Sequence, residues 1–435
     1  ALNARTLQLL EVVNLFDELY PLGKQCNTSS VWANGDFISR QSHWWESLKG
    51  CFHKHFLMLG QSFVEQLLDR KLTQEGASVV RNSEAIDIEL QADKCVTTLA
   101  NGDLIESKFI IGADGSHSLV REKLGIVFEI TRPQIIWAVL DAEIITDFPK
   151  VPEIITFQAE TSDVAWIPRE GNIDRFYIQM ETKEFSVDDA LAKINRAMAP
   201  HSVTIKTLEW FSSFSVKESV AESYAVEDRA FLAGDACHIH SVNGGQGLNT
   251  GIADAFNLIW KLAMVTQYNA PIELLRSYET ERKTVAKDVV ETSGQLVRST
   301  KFSEAGTHAQ DYVKIVERRS GYITGMGIQY QSEGLKGQRF YDLEIHNGLQ
   351  TTRLYSLLNY QTYSLLIFGN DATDFSLPPY ITKVSIADNK QSSGYWADNS
   401  PYTNQAILVR PDAYIVDSAP LEEIDSLIDK LWQFN

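Results

Sequence analysis

Two stretches of the chain each place an acidic residue between a short apolar strand and a helix. One reads RAFLAGDACHIHSVNGGQGLNTGIADAFNLIWKLA from Arg229, and the other reads FIIGADGSHSLVREKLG from Phe109. A strand that ends at a glycine turn and leads into a helix favours an α/β fold, because strands and helices then alternate along the chain. This recurring unit limits the possible folds more than any other feature of the sequence.

The rest of the chain fits this class. Hydrophobic spacing predicts helices over 61–72, over VDDALAKINRAMA and from Gly247 to about 290, with Leu248, Ile252, Phe256, Ile259 and Ala263 on one apolar stripe. Asn101-Gly102 predicts a hairpin with a type I′ turn. A strand-rich segment follows Pro133, and strands return in the tail. We therefore divide the chain into 1–128, a β-sheet substrate domain over 129–220, a return to the first domain over 221–345, and a C-terminal domain over 346–435.

Composition narrows the partners and the compartment. The net charge of −18 argues against nucleic acid and anionic membrane surfaces as partners. The longest apolar run, IIWAVL, has the length of a buried strand and is too short to span a membrane. Four cysteines in 435 residues are too few for a disulfide scaffold. These features predict a cytoplasmic protein.

The stretch AGDACHIHSVNGGQGLNTG allows several interpretations. A metal site would use Cys237, His238 and His240, but their spacing makes the side chains diverge, so the sequence predicts no metal. A P-loop would need Gly-Lys-Ser/Thr after the glycines, which is missing. A glycine turn that leads into a helix N-terminus presents free N–H groups to an anion or a carbonyl, and Asp235 is placed to accept hydrogen bonds from sugar hydroxyls. A glycine-rich helix entry without a ligand is the remaining alternative.

Taken together, GADGSHSLVR and GDACHIHSVNGGQGLN resemble the paired motifs of the single-component flavoprotein aromatic hydroxylases, the para-hydroxybenzoate hydroxylase-like family. The resemblance implies a glutathione reductase-like FAD-binding domain interleaved with a mixed β-sheet domain. It also implies FAD as cofactor and NADPH or NADH as reductant. The cofactor-binding positions that it implies are Arg5, Gln61, Asp114, Gly115, Arg121, Arg175, Gly234, Asp235, Gly244, Gly247, Leu248 and Asn249. Of these, Asp235 would hold the ribitol, and the helix N-terminus at Gly247 would face the flavin N1 and O2 atoms.

Within that family, the chain resembles the phenol hydroxylase branch in particular. The segments IPREGNIDRFYIQM and ILVRPDAYI are similar to segments of that branch. It implies that Arg169 and Tyr177 reach the active site and that Arg175 assists the nicotinamide cofactor. The implied reaction hydroxylates a phenolic small molecule with O2 through a flavin C4a-hydroperoxide. Judged from the residues alone, an Arg and a Tyr at this spacing are unremarkable.

Two departures from that branch stand out. Val242 replaces the usual Pro in the loop that faces the substrate, which leaves the substrate's hydrogen-bond partner open. No Gly-x-Gly-x-x-Gly occurs, although the family carries it in the first strand-turn-helix unit. The family's active-site Asp would fall immediately before Ala1. We therefore expect roughly 50 residues to be missing upstream, and we expect the 435 residues alone neither to hold FAD stoichiometrically nor to hydroxylate.

The tail from about 346 resembles the thioredoxin-like domain of this branch. No cysteine follows Cys237, so this domain is predicted to be structural, without redox activity, and to form a homodimer. Two alternatives to a hydroxylase stay open at this point. One is a related flavoprotein oxidase or reductase, and the other is a non-catalytic remnant or binding module of the same fold. A halogenase is disfavoured because its Trp-x-Trp-x-x-Ile signature is missing.

Overall fold

The computed structural model describes residues 1–42, 45–46, 48–130, 135–159, 162–216, 218–240, 245–300, 309–331, 333–370, 376–387, 394–398, 400–429 and 431. Its helices are α1 (Ala4–Val12), α2 (Phe16–Leu19), α3 (Gln61–Gln74), α4 (Leu119–Lys123), α5 (Val187–Met198), α6 (Gly247–Tyr268), α7 (Glu273–Thr300), α8 (Ala309–Arg318), α9 (Ser320–Thr324) and α10 (Ile424–Asp429). In this part of the chain, none of the helices is both long and apolar enough to cross a bilayer.

The strands interleave with these helices, as an α/β fold requires. They are β1 (Lys24–Cys26), β2 (Ser29–Ala33), β3 (Asp36–Gln41), β4 (Phe56–Met58), β5 (Ala85–Leu90), β6 (Cys95–Leu99), β7 (Leu104–Ser107), β8 (Ile110–Gly112), β9 (Phe128–Ile130), β10 (Ile135–Thr146), β11 (Ile154–Ala159), β12 (Ser162–Pro168), β13 (Asp174–Met180), β14 (Val203–Val216), β15 (Ser219–Ala221), β16 (Ala225–Val226), β17 (Ala230–Leu232), β18 (His238–Ile239), β19 (Glu344–Asn347), β20 (Gln350–Arg353), β21 (Tyr363–Phe368), β22 (Ile381–Ala387), β23 (Tyr395–Trp396), β24 (Gln405–Val409) and β25 (Ile415–Pro420).

Two large sheets organise the molecule. The first has the order β14-β10-β13-β12-β11-β2-β3, so two strands from the segment 1–128 join the predicted substrate sheet. Helix α5 packs on one face of this sheet over Phe176 and Ile178, which are fully buried. The second sheet, β20-β19-β23-β22-β21-β24-β25, is formed by strands between Glu344 and Pro420, close to the predicted C-terminal domain, and is buried on both faces. Its likeness to thioredoxin stays a prediction.

The predicted hairpin at Asn101-Gly102 is present, but its turn differs from the expected type. Strands β6 and β7 pair antiparallel, and within the turn only Gly102 has a positive φ, of +89°. A type I′ turn needs positive φ at both central residues. The Gly102 amide donates to Leu99, and Leu99 donates to Asp103. The sequence therefore predicted the hairpin correctly and the turn type wrongly.

The predicted apolar stripe of helix α6 is only partly correct, because Leu248 and Ile252 pack against a buried apolar cluster but the stripe is not the most buried side of the helix. Ile259 is 42% exposed, whereas the helix buries Asn249, Asp254, Asn257 and Lys261 together with Leu258 and Trp260. Helix α7 packs against α6, and Trp260 and Met264 join the core of the C-terminal sheet. Because α6 is covered on more than one side, a single apolar stripe does not identify its buried face.

Candidate functional site

The two strand-turn-helix motifs lie side by side. Strands β8 and β17 pair in parallel, with Ile111 opposite Phe231, so both motif turns leave the same edge of the sheet. Arg121 joins the two turns, because its guanidinium donates to the Ser116 carbonyl at 2.9 Å and to the Ala236 carbonyl at 2.8 Å. The same guanidinium lies 4.0 Å from the centre of the Phe128 ring.

The Asp-Gly motif builds the entry to helix α4. The Asp114 carboxylate accepts a hydrogen bond of 3.1 Å from the Val120 amide, and the Ser118 hydroxyl caps the helix by accepting from the Arg121 amide. Gly115 has φ +83°, a backbone conformation that glycine adopts without strain. These contacts fix the turn beside the Gly-Asp motif. The predicted cofactor contacts of Asp114, Gly115 and Arg121 stay predictions.

The Gly-Asp motif forms a tight 3-10 turn over Gly234–Ala236. Gly234 has φ +63°, and a Cβ placed on Gly251 would lie 3.4 Å from the Gly234 Cα atom, so two glycines let the turn approach helix α6 closely. Asp235 is exposed at this turn, and desolvation by the surrounding protein raises the pKa of its carboxyl. Among the described residues, no group donates a hydrogen bond to the Asp235 carboxylate. Its exposure leaves that carboxylate within reach of a ligand.

Helix α6 begins at Gly247, next to the first residues of the chain. The Asn249 side-chain oxygen accepts from the Asn3 amide at 2.9 Å and from the Thr6 hydroxyl at 2.8 Å. Its nitrogen donates to the carbonyl of Ala1 at 3.0 Å. The Asn249 side chain thus ties α6 to α1, while Gly247 and Leu248 are partly exposed. Gly244 was also predicted to bind cofactor, and it lies outside the described residues, as does Val242.

An arginine pair lies on one face of the first sheet. The carboxylate of Asp141, on β10, receives two bonds of 2.7 Å from Arg175 and one of 2.7 Å from Arg169. Arg175 also donates to the Tyr177 hydroxyl at 3.3 Å, and its guanidinium carbon is 5.6 Å from the centre of the Trp210 ring. Burial acts to lower the pKa of Arg175, but the bonds to Asp141 outweigh it and the pKa is raised. The structure therefore brings the predicted Arg169, Arg175 and Tyr177 together.

Glu170 connects this pair to helix α3. Glu170 pairs with the Arg169 guanidinium and accepts a hydrogen bond of 2.9 Å from the Gly60 amide. Gly60 is the residue before Gln61, so the predicted FAD-contacting glutamine starts its helix beside the arginine pair and is exposed there. A carboxylate at a helix N-terminus is also favoured by the helix dipole.

The start of helix α6 and the arginine pair both lie near Ala1. The backbone of Ala1 lies close to the charged groups of Arg175, Arg169 and Glu170. The Ala1 carbonyl accepts from Asn249 at the start of α6, as described above. The start of α6 and the polar face of the sheet therefore border one region.

Arg5 lies elsewhere. Its buried guanidinium donates to the Tyr355 hydroxyl at 3.1 Å and to the Asp412 carbonyl, and it lies 4.9 Å from the centre of the Tyr414 ring. These partners all belong to the C-terminal domain. The structure thus places the Arg5 side chain in an interdomain contact, and its predicted contact with FAD stays a prediction.

Three buried side chains form a possible metal site that differs from the set considered from the sequence alone. Potential ligand atoms of Cys237, His238 and Asp254 lie within 4.8 Å of one another, all buried. Burial raises the pKa of the Cys237 thiol well above its usual value, which disfavours the thiolate that a metal needs. The Arg282 guanidinium already occupies Asp254 at 2.7 Å. This arrangement is that of an internal ion pair.

Asp141 and Asp254, the acidic residues that pair with the arginines, were not identified from the sequence. The signal for Asp141 was a single acid inside the apolar strand IIWAVLDAEII. A lone charge there needs a buried partner. Asp254 lay on a helix whose apolar stripe was assigned to other residues, so its burial had no clear signal.

Known proteins resemble this chain at the level of family and of sequence. A model of the FAD binding domain family matches residues 1–293. The chain is 30% identical over 378 residues to the flavin-dependent oxygenase ucdD of Aspergillus ustus, a match that covers 76% of this chain and 58% of that protein. It is also 30% identical over 262 residues to the 3-hydroxybenzoate 4-monooxygenase of Comamonas testosteroni, covering 54% of this chain and 41% of that one.

A solved structure extends the likeness over nearly the whole chain. The anhydrotetracycline hydroxylase OxyS from Streptomyces rimosus is similar with a TM-score of 0.78 at 25% identity, covering 99% of this chain and 90% of that one. By contrast, the chain spans about half the length of the first curated relatives it matches.

Proposed function

Since the chain belongs to the FAD binding domain family, we propose that it acts as an FAD-dependent, NAD(P)H-consuming monooxygenase that hydroxylates a phenolic ring. One observation carries the proposal. Helix α6 packs against the Gly-Asp turn with its exposed Asp235, and the start of α6 borders the same region as the arginine pair and the Tyr177 hydroxyl. The first part suits a sugar-bearing cofactor, and the second suits a small polar aromatic substrate.

The residues present fit FAD at the Gly-Asp turn. Asp235 would accept hydrogen bonds from ribitol hydroxyls, and the partly exposed start of α6 at Gly247 and Leu248 would lie against the pyrimidine edge of the flavin. Arg121 would hold the Asp-Gly motif beside that turn. When bound and reduced by NAD(P)H, the flavin would supply the activation of O2 for oxygen transfer to the ring.

The arginine pair with its acids makes a cluster that is balanced in charge. Asp141 and Glu170 offset Arg169 and Arg175, so the cluster adds little net attraction for an anion. Arg175 donates to the Tyr177 oxygen, which leaves the Tyr177 proton free to bond a substrate hydroxyl or phenolate. Removing the phenol proton raises the electron density of the ring, which favours hydroxylation. Tyr177 is therefore proposed to orient the phenol, and Arg169 and Arg175 are proposed to hold that tyrosine face in place.

The C-terminal domain is proposed to be thioredoxin-like in fold and structural in role. The contact of Arg5 with Tyr355 and Asp412 supports the structural role. Assembly as a homodimer belongs to the same proposal, and a size measurement in solution tests it.

The function is tested with the intact protein, purified and supplied with FAD and a panel of phenols. We expect bound flavin, NADPH or NADH oxidation that depends on the phenol, and a product heavier by one oxygen atom. NAD(P)H oxidation that produces only hydrogen peroxide with every phenol would indicate a related oxidase or reductase. Absence of flavin binding even with excess FAD would indicate a non-catalytic member of the fold.

A further inference from the structure

Behind the Gly-Asp turn, helix α6 carries a fully buried carboxylate, that of Asp254. One of its oxygens accepts hydrogen bonds from the Gly234 amide at 3.1 Å and from His238 Nε2 at 2.7 Å. The other accepts a bond of 2.7 Å from Arg282 Nε. Because a carboxylate can only accept, His238 carries a proton on Nε2. A single carboxylate therefore fastens both sides of Asp235, at Gly234 and at His238.

The carboxylate is ionised in this setting. Burial acts to raise the pKa of Asp254, but the charge of Arg282, followed by that of His238, leaves the pKa below its ordinary value. Bonds to an ionised acceptor are shorter and stronger than neutral ones. The Gly234 amide is thus held by a charged partner.

Arg282 extends the same network to the start of helix α6. Its guanidinium donates to the Thr250 carbonyl at 3.2 Å, in the first turn of the helix, and to the Tyr330 hydroxyl at 3.0 Å. The Gly-Asp turn and the first turn of α6 are therefore joined through Asp254 and Arg282. These are the two parts that the proposed function assigns to the ribitol and to the flavin ring.

We infer that Asp254 is a positioning residue, with Arg282 and His238, that fixes the Asp235 turn relative to the N-terminus of α6 for the cofactor. The inference rests on the proposed function. The network does not reach the cofactor itself, since Asp254, Arg282 and His238 are at most 1% exposed. It acts by holding the Gly234 amide, and with it the Asp235 carboxylate, in one orientation.

The alternative is that Asp254 and Arg282 form only a structural ion pair between α6 and α7. The same two helices supply a matched control for this alternative. Lys261 on α6 and Glu281 on α7 pair at 3.1 Å and are also buried, but among the described residues neither bonds to the Gly-Asp turn. Losing either pair should destabilise the helices, whereas only the loss of Asp254 should release the turn.

The test compares D254N with E281Q, both isosteric, in two measurements. The first is the FAD dissociation constant, from quenching of flavin fluorescence. The second is hydrogen exchange of the Gly234 amide in FAD-free protein. We expect both variants to lower the melting temperature. Only D254N should weaken FAD binding, by tenfold or more, and speed exchange at Gly234 by at least as much.

The inference is overturned if D254N leaves the Gly234 exchange rate unchanged, or if E281Q changes exchange and FAD affinity as much as D254N does. If neither the parent nor the variants bind FAD, the proposed function fails. The exchange rates then still decide whether Asp254 holds the turn, and unchanged rates reject that as well.

A second pair of variants covers the case in which D254N does not fold. H238Q keeps a side-chain donor for Asp254 and should keep FAD affinity within twofold of the parent. H238L removes the donor without leaving Asp254 unpaired, because Arg282 remains, and should weaken FAD binding severalfold with faster exchange at Gly234. Equal behaviour of H238Q and H238L in both measurements would contradict the inference.

Discussion

The molecule contains two clusters of arginine and carboxylate that share their chemistry and differ in access. In the open cluster, Arg169 and Arg175 are 16% and 19% exposed around Asp141 on the face of a sheet. In the closed cluster, Arg282 and Arg410 join Asp254 and Glu281 between helices α6, α7 and the C-terminal domain. Burying charges is expensive unless they are paired and hydrogen-bonded. The closed cluster satisfies that demand internally, whereas the open one keeps polar groups directed at a region that a substrate can reach.

Breaking the closed cluster should give the largest effect. Arg410→Ala removes the guanidinium that bonds Glu281 at 2.7 and 3.0 Å and Asp412 at 2.7 Å. Among the described residues, these two buried acids then share a single remaining cation, Lys261, which pairs with Glu281. We expect a loss of about 3–5 kcal/mol in the free energy of unfolding, measured by urea denaturation. The control is Arg276→Ala, whose pair with Asp228 is exposed and should contribute no more than about 1 kcal/mol. Equal losses would mean that burial does not separate the two classes of pair.

The second largest effect is expected on FAD affinity, at the Gly-Asp turn. Asp235→Ala should weaken FAD binding by about 1.5–3 kcal/mol, the range for hydrogen bonds to a charged group, as measured by flavin titration. Stability should change little, because Asp235 is exposed. Asp228→Ala, seven residues earlier, removes a partly exposed carboxylate that pairs with Arg276. This control variant should bind FAD like the parent. Unchanged affinity in Asp235→Ala would remove the Gly-Asp turn from the flavin site.

A smaller effect is expected in the open cluster, on the rate of hydroxylation, when Tyr177 is changed. Tyr177→Phe keeps the ring but removes the hydroxyl, so hydroxylation of a phenol should slow about tenfold, which corresponds to about 1.4 kcal/mol, within the range for one hydrogen bond. FAD affinity and the melting temperature should stay at their parent values. Tyr395→Phe in the C-terminal sheet controls for the loss of a hydroxyl far from the site. If Tyr177→Phe turns over as fast as the parent, the open face does not orient the phenol.

The comparison of the two clusters also explains which parts of the structure could be predicted from the sequence. Glycine turns act locally, so the strand-turn-helix units around Gly115 and Gly234 were predictable, as was the start of α6 at Gly247. The partners of charged residues are set by tertiary packing, and these were missed. Lys261 is fully buried while Ile259 is 42% exposed, because α7 and the C-terminal sheet cover the polar side of α6. A helix covered in this way does not show a single apolar stripe.

Among the described residues, the buried ring of His55 has a neutral hydrogen-bond partner and no acidic one, so it tests the comparison from the other side. His55 is 9% exposed, and its Nε2 lies 2.9 Å from the Tyr20 hydroxyl. Burial, followed by repulsion from His53, lowers the pKa of His55 from 6.5 to about 4. The folded state therefore keeps this ring neutral while the unfolded chain protonates it, so its contribution to stability is present above pH 6.5 and is lost as the pH falls toward 4. By pH 5.5 the loss should reach about 1 kcal/mol.

His55→Gln keeps a polar side chain but removes this titration. Urea unfolding of the parent and of the variant at pH 7.0 and at pH 5.5 should show the parent losing about 1 kcal/mol more than the variant over that interval. The difference is small because only one proton is involved and the pH stays above the folded pKa. Parallel losses in the two proteins would mean that His55 takes up its proton as readily in the fold as in the open chain. Burial alone would then not exclude an unpaired charge from this part of the molecule, and the contrast between the open and closed clusters would need another cause.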